Sequence, residues 1–190
     1  MNLLEKASFR GQHTCPWWLC FTFDNPLRRR LQNPDLILKG LVQQGQTALD
    51  IGCGMGYYSL VLARMVGPEG KVFCIDLQEK MLETVKGKAD KAGFHNIHFH
   101  RCNTNSLGLT VAADFALAFW MVHEVREQQK FLGEVHDSLK AGGTFLMVEP
   151  KLHVAEAAFN QTVYRAQETG FEIAARPDIS MSRAVLFKKL

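Results

Sequence analysis

The stretch TALDIGCGMGYYS, residues 47–59, joins a short apolar run to a turn with three glycines. The run contains one acid, Asp50, and the glycines are Gly52, Gly54 and Gly56. Glycine loses more conformational entropy on folding than any other residue, so this cluster indicates either a sharp turn or a group that comes close to the backbone. A buried strand that runs through such a turn into a helix predicts a β-α unit of a parallel sheet.

The composition is that of one globular domain. The chain has 190 residues, 47% of them apolar and 22% charged, which excludes global disorder. The net charge of +3 is too small to argue for nucleic acid. Five scattered cysteines contain no CxxC pair, and no apolar segment resembles a signal peptide or a bilayer span. The sequence predicts a cytoplasmic protein without nucleic-acid or membrane partners.

From residue 46 onward, strand-like and helix-like runs alternate, which is typical of right-handed β-α-β units. The last two strand-like runs, GFEIAARP and SRAVLFKKL, have a link too short for a parallel crossover. We therefore expect an α/β fold with a seven-stranded, doubly wound, mostly parallel sheet and an antiparallel last strand. The expected strands are TALDI, KVFCIDL, NIHFHRC, DFALAFW, TFLMVEP and the final two runs. The expected helices are YYSLVLARMV, QEKMLETVKGKADKAG, EQQKFLGEVHDSLKAGG and residues 154–169. The buried stripe of the third helix includes Leu139.

The first 45 residues differ from the rest and form a predicted N-terminal extension before a domain at 46–190. The segment CPWWLCFTFDNPLRRRLQNP is too apolar for a solvated tail, so we expect it to pack on the domain as an aromatic cap. Its aromatic side chains either cover the site as a lid or pack against the sheet as ordinary core, and these readings overlap. They are Trp17, Trp18, Phe21 and Phe23.

The acids beside the glycine turn indicate what it binds. A dinucleotide motif, GxGxxG, would need a glycine where the chain has Tyr57, and Asp50 would repel a pyrophosphate. Asp76, at the end of the second strand, is placed to accept hydrogen bonds from ribose hydroxyls. A ribose-containing ligand with a cationic amino-acid end and no phosphate is S-adenosylmethionine. The same glycines could also serve a tight turn with no ligand.

Over residues 40–190 the sequence resembles the class I S-adenosylmethionine-dependent methyltransferases, whose fold is Rossmann-like. LDIGCGMG is similar to the family's glycine motif, Asp76 to its ribose acid, and ADFALAFWMVHEV and LKAGGTFLMVEP to its fourth- and fifth-strand motifs. The family often has an acid after the third strand, whereas this chain has an amide there. The resemblance implies these cofactor-binding residues: Asp50, Gly52, Cys53, Gly54, Gly56, Asp76, Leu77, Asn103 for adenine and Phe119 beside the methionine moiety.

Four polar residues after the fourth and fifth strands are candidates for the acceptor side. His123 could bind substrate or accept its proton, with Glu124 beside it; equally, His123 could pack against the cap while Glu124 starts a helix. Glu149 and His153 could line an acceptor pocket, or Pro150 could simply end the strand. We name His123 and Glu124 as the catalytic candidates.

The resemblance implies methyl transfer from S-adenosylmethionine to a small molecule, leaving S-adenosylhomocysteine. One alternative is a regulatory module that binds the cofactor without catalysis. Another is a metalloid methyltransferase that uses Cys15 and Cys20, although packing explains those cysteines more simply and no metal site is expected. A nicotinamide enzyme is disfavoured by Tyr57 and Asp50. The acceptor and the oligomeric state are left open.

Overall fold

A computed structural model describes residues 30–190, and most of the expected aromatic cap, including Trp17 and Phe23, lies outside these residues. Within them, no helix is both long and apolar enough to cross a bilayer. The elements in chain order are α1 (Pro34–Ile37), β1 (Thr47–Ile51), α2 (Ser59–Val66), β2 (Lys71–Asp76), α3 (Glu79–Ala92), β3 (Ile97–Arg101), β4 (Ala113–Phe119), a 3-10 helix (Val122–Glu124), α4 (Gln128–Asp137), β5 (Leu139–Pro150), α5 (Glu156–Glu168), β6 (Phe171–Ala175) and β7 (Ser182–Lys189).

The strands form one seven-stranded sheet in the order β3-β2-β1-β4-β5-β7-β6. β1 to β5 pair in parallel, while β7 is antiparallel to both β5 and β6. The predicted α/β fold with a reversed last strand is therefore confirmed. The chain leaves β1 towards β2 on one side and later returns to β4 on the other, so the sheet has its switch point between β1 and β4. Ligands of open α/β sheets bind at this point, outside the carboxyl ends of the strands.

Two hydrophobic layers enclose the sheet. On one face α2 and α3 bury Leu62, Val66 and Val85 against the strands. On the opposite face α4 and α5 bury Leu132 and Phe159. The apolar periodicity of the helices therefore covers both faces of the sheet, which explains why the central strands β1 and β4 are almost entirely apolar.

The expected helix EQQKFLGEVHDSLKAGG ends earlier than its apolar spacing predicts. α4 stops at Asp137, and the Ser138 hydroxyl donates to the Glu134 carbonyl at its end. Leu139 is buried as expected but belongs to β5, where it pairs with Ala113. A single buried leucine satisfies both patterns, so apolar spacing alone cannot place this boundary.

The described part of the N-terminal extension packs on the domain. α1 begins at an Asn33 cap, whose side chain accepts the Asp35 N–H, and Leu38 behind it is fully buried. Gln32 is 2% exposed and donates to the Ser180 carbonyl and to the Ser182 hydroxyl, at 2.9 and 3.2 Å. The extension is thus attached to the start of β7.

Replacing Ser182 by alanine should destabilise this attachment. The Ser182 hydroxyl also accepts the indole N–H of Trp120 at 2.9 Å, so Ser182→Ala removes an acceptor from one buried and one half-buried donor. We expect a loss of about 1–2 kcal/mol in the free energy of unfolding, measured by urea denaturation. Ser180→Ala is the matched control, because Ser180 accepts from Gln32 and from the Ser182 hydroxyl through its backbone carbonyl, which alanine keeps. Equal stability of both variants would contradict the prediction.

Candidate functional site

All three glycines of the turn after β1 have left-handed backbone angles, with φ of +70° at Gly52, +51° at Gly54 and +81° at Gly56. Packing adds a second requirement at two of them. A Cβ on Gly52 would lie 2.9 Å from the Met121 side chain, and one on Gly56 would lie 2.9 Å from that of Val85. These two glycines are needed for the turn and for the close approach of its neighbours.

Gly54 differs from the other two, because nothing lies within 4 Å of the position that its Cβ would take. Its N–H donates to Oδ2 of Asp76 at 3.0 Å, so the turn is tied to the end of β2. Gly52 and Gly56 therefore serve the turn and its packing, whereas Gly54 leaves open space beside the backbone near the switch point of the sheet.

Asp76 ends β2 and is 8% exposed. Besides the Gly54 bond, its Oδ1 accepts the N–H of Gln78 at 2.9 Å. Burial raises the pKa of the Asp76 carboxyl, and the backbone N–H groups of Gln78, Gly54 and Leu77 oppose that rise. The carboxylate is thereby fixed at the strand end, where it retains acceptor capacity for a ligand hydroxyl.

Asp50 is buried in the fold. It is 3% exposed, and its Oδ2 accepts the hydroxyl of Ser59 at 2.5 Å, at the first residue of α2. Burial raises the pKa of Asp50 to about 7; the Ser59 bond opposes that rise, and the negative charge of Asp76 adds to it. Two neighbouring carboxylates repel each other when both are ionised, so a nearby cation would stabilise their charged forms.

Cys53 offers no reactive thiol. Cys53 is 7% exposed, and its thiol donates to the Gly54 carbonyl at 3.9 Å. The neighbouring Cys74 thiol, together with burial, raises the pKa of the Cys53 thiol, which keeps it protonated. Its backbone N–H donates to the Ile75 carbonyl at 3.1 Å, as does that of Gly52 at 2.8 Å. The position therefore contributes backbone and packing to the turn.

Asn103, the candidate for adenine recognition, is exposed after β3. Its Oδ1 accepts the N–H of Asn105 at 2.9 Å, and its backbone bridges to Ser106. The Asn103 side chain is thus held in a local turn, and its role toward adenine stays a prediction. Leu77, expected beside the ribose, is half-buried directly after Asp76.

Phe119 ends β4 at the switch point and is 8% exposed. Its ring stacks on that of Tyr58 at a centroid distance of 4.5 Å, so it joins β4 to the turn before α2. Trp120 follows with a left-handed φ of +60°, which is rare for a non-glycine residue and typical of functional sites. Its indole bond to Ser182 holds that geometry.

His123 lies on the 3-10 helix after β4, and the structure pairs it with Glu149 of β5. The distance between His123 Nδ1 and Glu149 Oε2 is 2.6 Å, and the Glu149 side chain is only 3% exposed. Burial alone would lower the pKa of His123, but the bond to Glu149 and the charges of Glu149 and Glu124 raise it overall. Glu124 acts here through its charge.

The sequence left the roles of His123 and Glu149 undecided and did not predict that they pair. The signal was present, because β4 and β5 were expected as parallel neighbours, and a residue after one strand then lies beside the end of the next. Ser59, as the partner of Asp50, had no such signal. Among residues 30–190, no three His, Cys, Asp or Glu side chains are grouped as metal ligands. Cys15 and Cys20 lie outside the described residues.

A family model described as a methyltransferase domain matches residues 43–178. The chain is 32% identical over 124 residues to a demethylmenaquinone methyltransferase of Geobacillus stearothermophilus, an alignment that covers 64% of this chain and 53% of the relative. A second demethylmenaquinone methyltransferase, from Listeria welshimeri, is 29% identical over 57% of this chain and 46% of its own. The chain thus spans about half the length of the curated relatives it matches.

Solved structures share the fold. A S-adenosylmethionine-dependent methyltransferase from Aquifex aeolicus superposes with a TM-score of 0.84 at 24% identity, covering 93% of this chain and all of the other. A [4+2]-cyclase, SpnF, superposes with a TM-score of 0.71 at 19% identity, covering 83% of this chain and 79% of the cyclase. At these identities the likeness concerns the fold, and the chemistry has to be argued from the site.

Proposed function

Because the chain belongs to the methyltransferase domain family, we propose that it transfers a methyl group from S-adenosylmethionine to a small-molecule acceptor. The resemblance to class I methyltransferases is confirmed by the family match and the shared fold, and S-adenosylmethionine is the cofactor of this class. The observation that carries the proposal is the open space at Gly54 beside the fixed Asp76 carboxylate, at the switch point of the sheet. The curated relatives support a small-molecule acceptor.

The residues around the turn suit this cofactor. Nothing lies within 4 Å of the position of a Gly54 Cβ, and the Asp76 carboxylate has acceptor capacity left for a ribose hydroxyl. The paired acids Asp50 and Asp76 favour a positive charge over a phosphate. Phe119 presents an apolar ring at the end of β4. We assign Gly54, Asp76, Asp50 and Phe119 to cofactor binding. Gly52, Cys53 and Gly56 shape the backbone of the turn, and Leu77 and Asn103 are assigned to the nucleoside part of the cofactor.

When bound, S-adenosylmethionine supplies a methyl group on a positively charged sulfur. The protein's part is to bind both reactants, align them and exclude water. Asp76 fixes the nucleoside end, and the negative potential of Asp50 favours the cationic end. The acceptor lies between the ends of β4 and β5, where His123 is paired with Glu149. His123, with Glu124 as a charged neighbour, is the catalytic candidate on that side.

Isothermal calorimetry of the full chain with S-adenosylmethionine and S-adenosylhomocysteine tests the proposal. We expect micromolar binding of both, followed by methylated product in a turnover assay across hydroxyl, thiol, amine and metalloid acceptors. Reduced demethylmenaquinone belongs in the acceptor set because the curated relatives carry that name. Binding without product from any acceptor would favour the regulatory module, and no binding of either ligand would exclude the proposal.

A further inference from the structure

We propose that His123 and Glu149 act together as a base that removes a proton from the acceptor, and that the acceptor is therefore a hydroxyl group on an aromatic or enol system. This inference rests on the methyl transfer proposed above. Glu149 is the positioning residue, since it acts through the imidazole, and His123 is the group that meets the acceptor.

The contacts of Glu149 define the proton arrangement. Its Oε1 accepts the N–H of Val122 at 2.9 Å, and its Oε2 accepts the backbone N–H of His123 at 3.2 Å. The same Oε2 lies 2.6 Å from His123 Nδ1. A buried carboxylate surrounded by donors is an acceptor only, so the ring proton of neutral His123 is held on Nδ1. The basic lone pair is then on Nε2.

Nε2 is the ring nitrogen that does not face the buried Glu149, and 28% of the His123 side chain is exposed. The acceptor is placed beside this nitrogen. The chain segment just before His123 contacts the glycine turn, because the Met121 side chain fills the space beside Gly52. The imidazole is therefore held at the same strand ends as the glycine turn and on the side of β5.

Three titratable groups face His123. Glu149 lies on β5, Glu124 on the same 3-10 helix, and His153 in the turn after β5 with its ring centroid 6.5 Å from that of His123. The two acids raise the pKa of His123 against the effect of burial, so its neutral form becomes abundant above the ordinary value of 6.5. A neutral ring that is held in one tautomer is suited to proton removal.

The strength of this base selects the acceptor class. A phenolic hydroxyl, as in tyrosine, has a pKa of about 10, which imidazole can deprotonate during attack. A hydroxyl as weakly acidic as water, with a pKa of about 15.7, gives up its proton to imidazole less readily and is a poorer match for this base. A thiol, near 8.5, ionises without help, and a neutral amine attacks before it loses a proton. The dyad is therefore useful chiefly to a phenol-like or enol hydroxyl.

The O–H bond of the acceptor breaks and its proton passes to Nε2 of His123. The electron pair left on the acceptor oxygen forms the new bond to the methyl carbon. The bond between that carbon and sulfur breaks with both electrons left on sulfur. The protonated imidazole then returns its proton to solvent.

The test uses the full chain with catechol, 1,4-naphthohydroquinone, cyclohexanol, benzyl mercaptan and benzylamine as probes at pH 8. We expect methylation of the first two, and a loss of about 10²–10⁴-fold in kcat for His123→Gln with them. Affinity for S-adenosylhomocysteine, by calorimetry, should stay within about twofold because His123 removes a proton and holds no cofactor. His98→Gln is the matched control, since His98 is an exposed histidine on β3.

A second readout needs no cofactor. Nitrogen-15 NMR of the free protein, with His123 assigned through its loss in His123→Gln, should show Nδ1 protonated and Nε2 bare at pH 8. Glu149→Gln should lower the pKa of His123 and move the acid limb of kcat/KM to lower pH, because it removes the opposing charge. A merely structural role for Glu149 would change stability without moving either titration.

Three results would overturn the inference. These are full activity of His123→Gln toward the phenolic probes, turnover of the amine or thiol alone, and an Nε2-protonated tautomer in the NMR spectra. The NMR result decides the matter even if Glu149→Gln fails to fold. If the wild-type chain binds neither S-adenosylmethionine nor S-adenosylhomocysteine, the proposed function fails and the inference fails with it. Cofactor binding together with any of the three results refutes the inference alone.

Discussion

Replacing Asp50 by asparagine should make the protein more stable at pH 8 while leaving its stability near pH 4 almost unchanged. The Asp50 carboxyl has a pKa of about 7 in the folded protein and an ordinary value of 3.8. Between these values the folded state binds more protons than the unfolded state, so stability falls as pH rises through this window. The fall is complete above pH 7 and amounts to at most about 4 kcal/mol, from about three pKa units at about 1.4 kcal/mol each.

Asparagine removes the charge and keeps an oxygen that accepts the Ser59 hydroxyl. Urea denaturation of both proteins at intervals from pH 4 to 8, without cofactor, measures the difference in unfolding free energy. The gain of Asp50→Asn should grow with pH across this range. Asp137→Asn is the control, because its carboxylate is 85% exposed and remains hydrated. Parallel stability curves for Asp50→Asn and the wild type would contradict the raised pKa.

The second large effect concerns cofactor affinity, which Asp76→Ala should weaken by roughly 1–3 kcal/mol, or about 5- to 150-fold in Kd. The carboxylate is the expected acceptor for the ribose hydroxyls, and it also holds the Gly54 N–H that fixes the turn. Its loss therefore removes ligand bonds and loosens the backbone beside them. Calorimetry with S-adenosylhomocysteine measures the change directly.

The control for Asp76→Ala is Glu79→Ala, which removes a nearby exposed carboxylate that only approaches Arg101 at 3.6 Å. Its affinity should match that of the wild type. Unfolding curves are needed for Asp76→Ala, because the Gly54 and Gln78 N–H groups lose their acceptor as well. Unchanged affinity in a folded Asp76→Ala protein would show that this carboxylate does not bind the ribose.

The sequence predicted most of the fold because its signals are local. Apolar runs that are bounded by glycines predict the positions of the strands, and the short link between β6 and β7 predicts that β7 runs antiparallel to β6. The boundary at Leu139 could not be predicted, since a buried leucine fits both helix and strand and the decision depends on its pairing with Ala113. Tertiary pairing then overrides the local pattern.

The candidate site was predictable in location but not in detail. The turn and Asp76 lie where the motif spacing puts them. Asp50, however, faces Ser59 inside the fold, a contact that depends on the start of α2 and on nothing in the motif itself. The pairing of His123 with Glu149 joins residues 26 positions apart through the side-by-side arrangement of β4 and β5. Side-chain partners at such separations follow from the assembled sheet and not from the pattern of one segment.

The place of β7 in the sheet has a consequence for synthesis on the ribosome. β7 lies between β5 and β6, so neither of these earlier strands can pair on that side until Ser182–Lys189 has been synthesised. The nascent chain therefore emerges with the open edge of β5 exposed, and an open edge can pair with another chain. A translational pause before these residues should prolong that state and promote aggregation, whereas swift completion of the strand should suppress it.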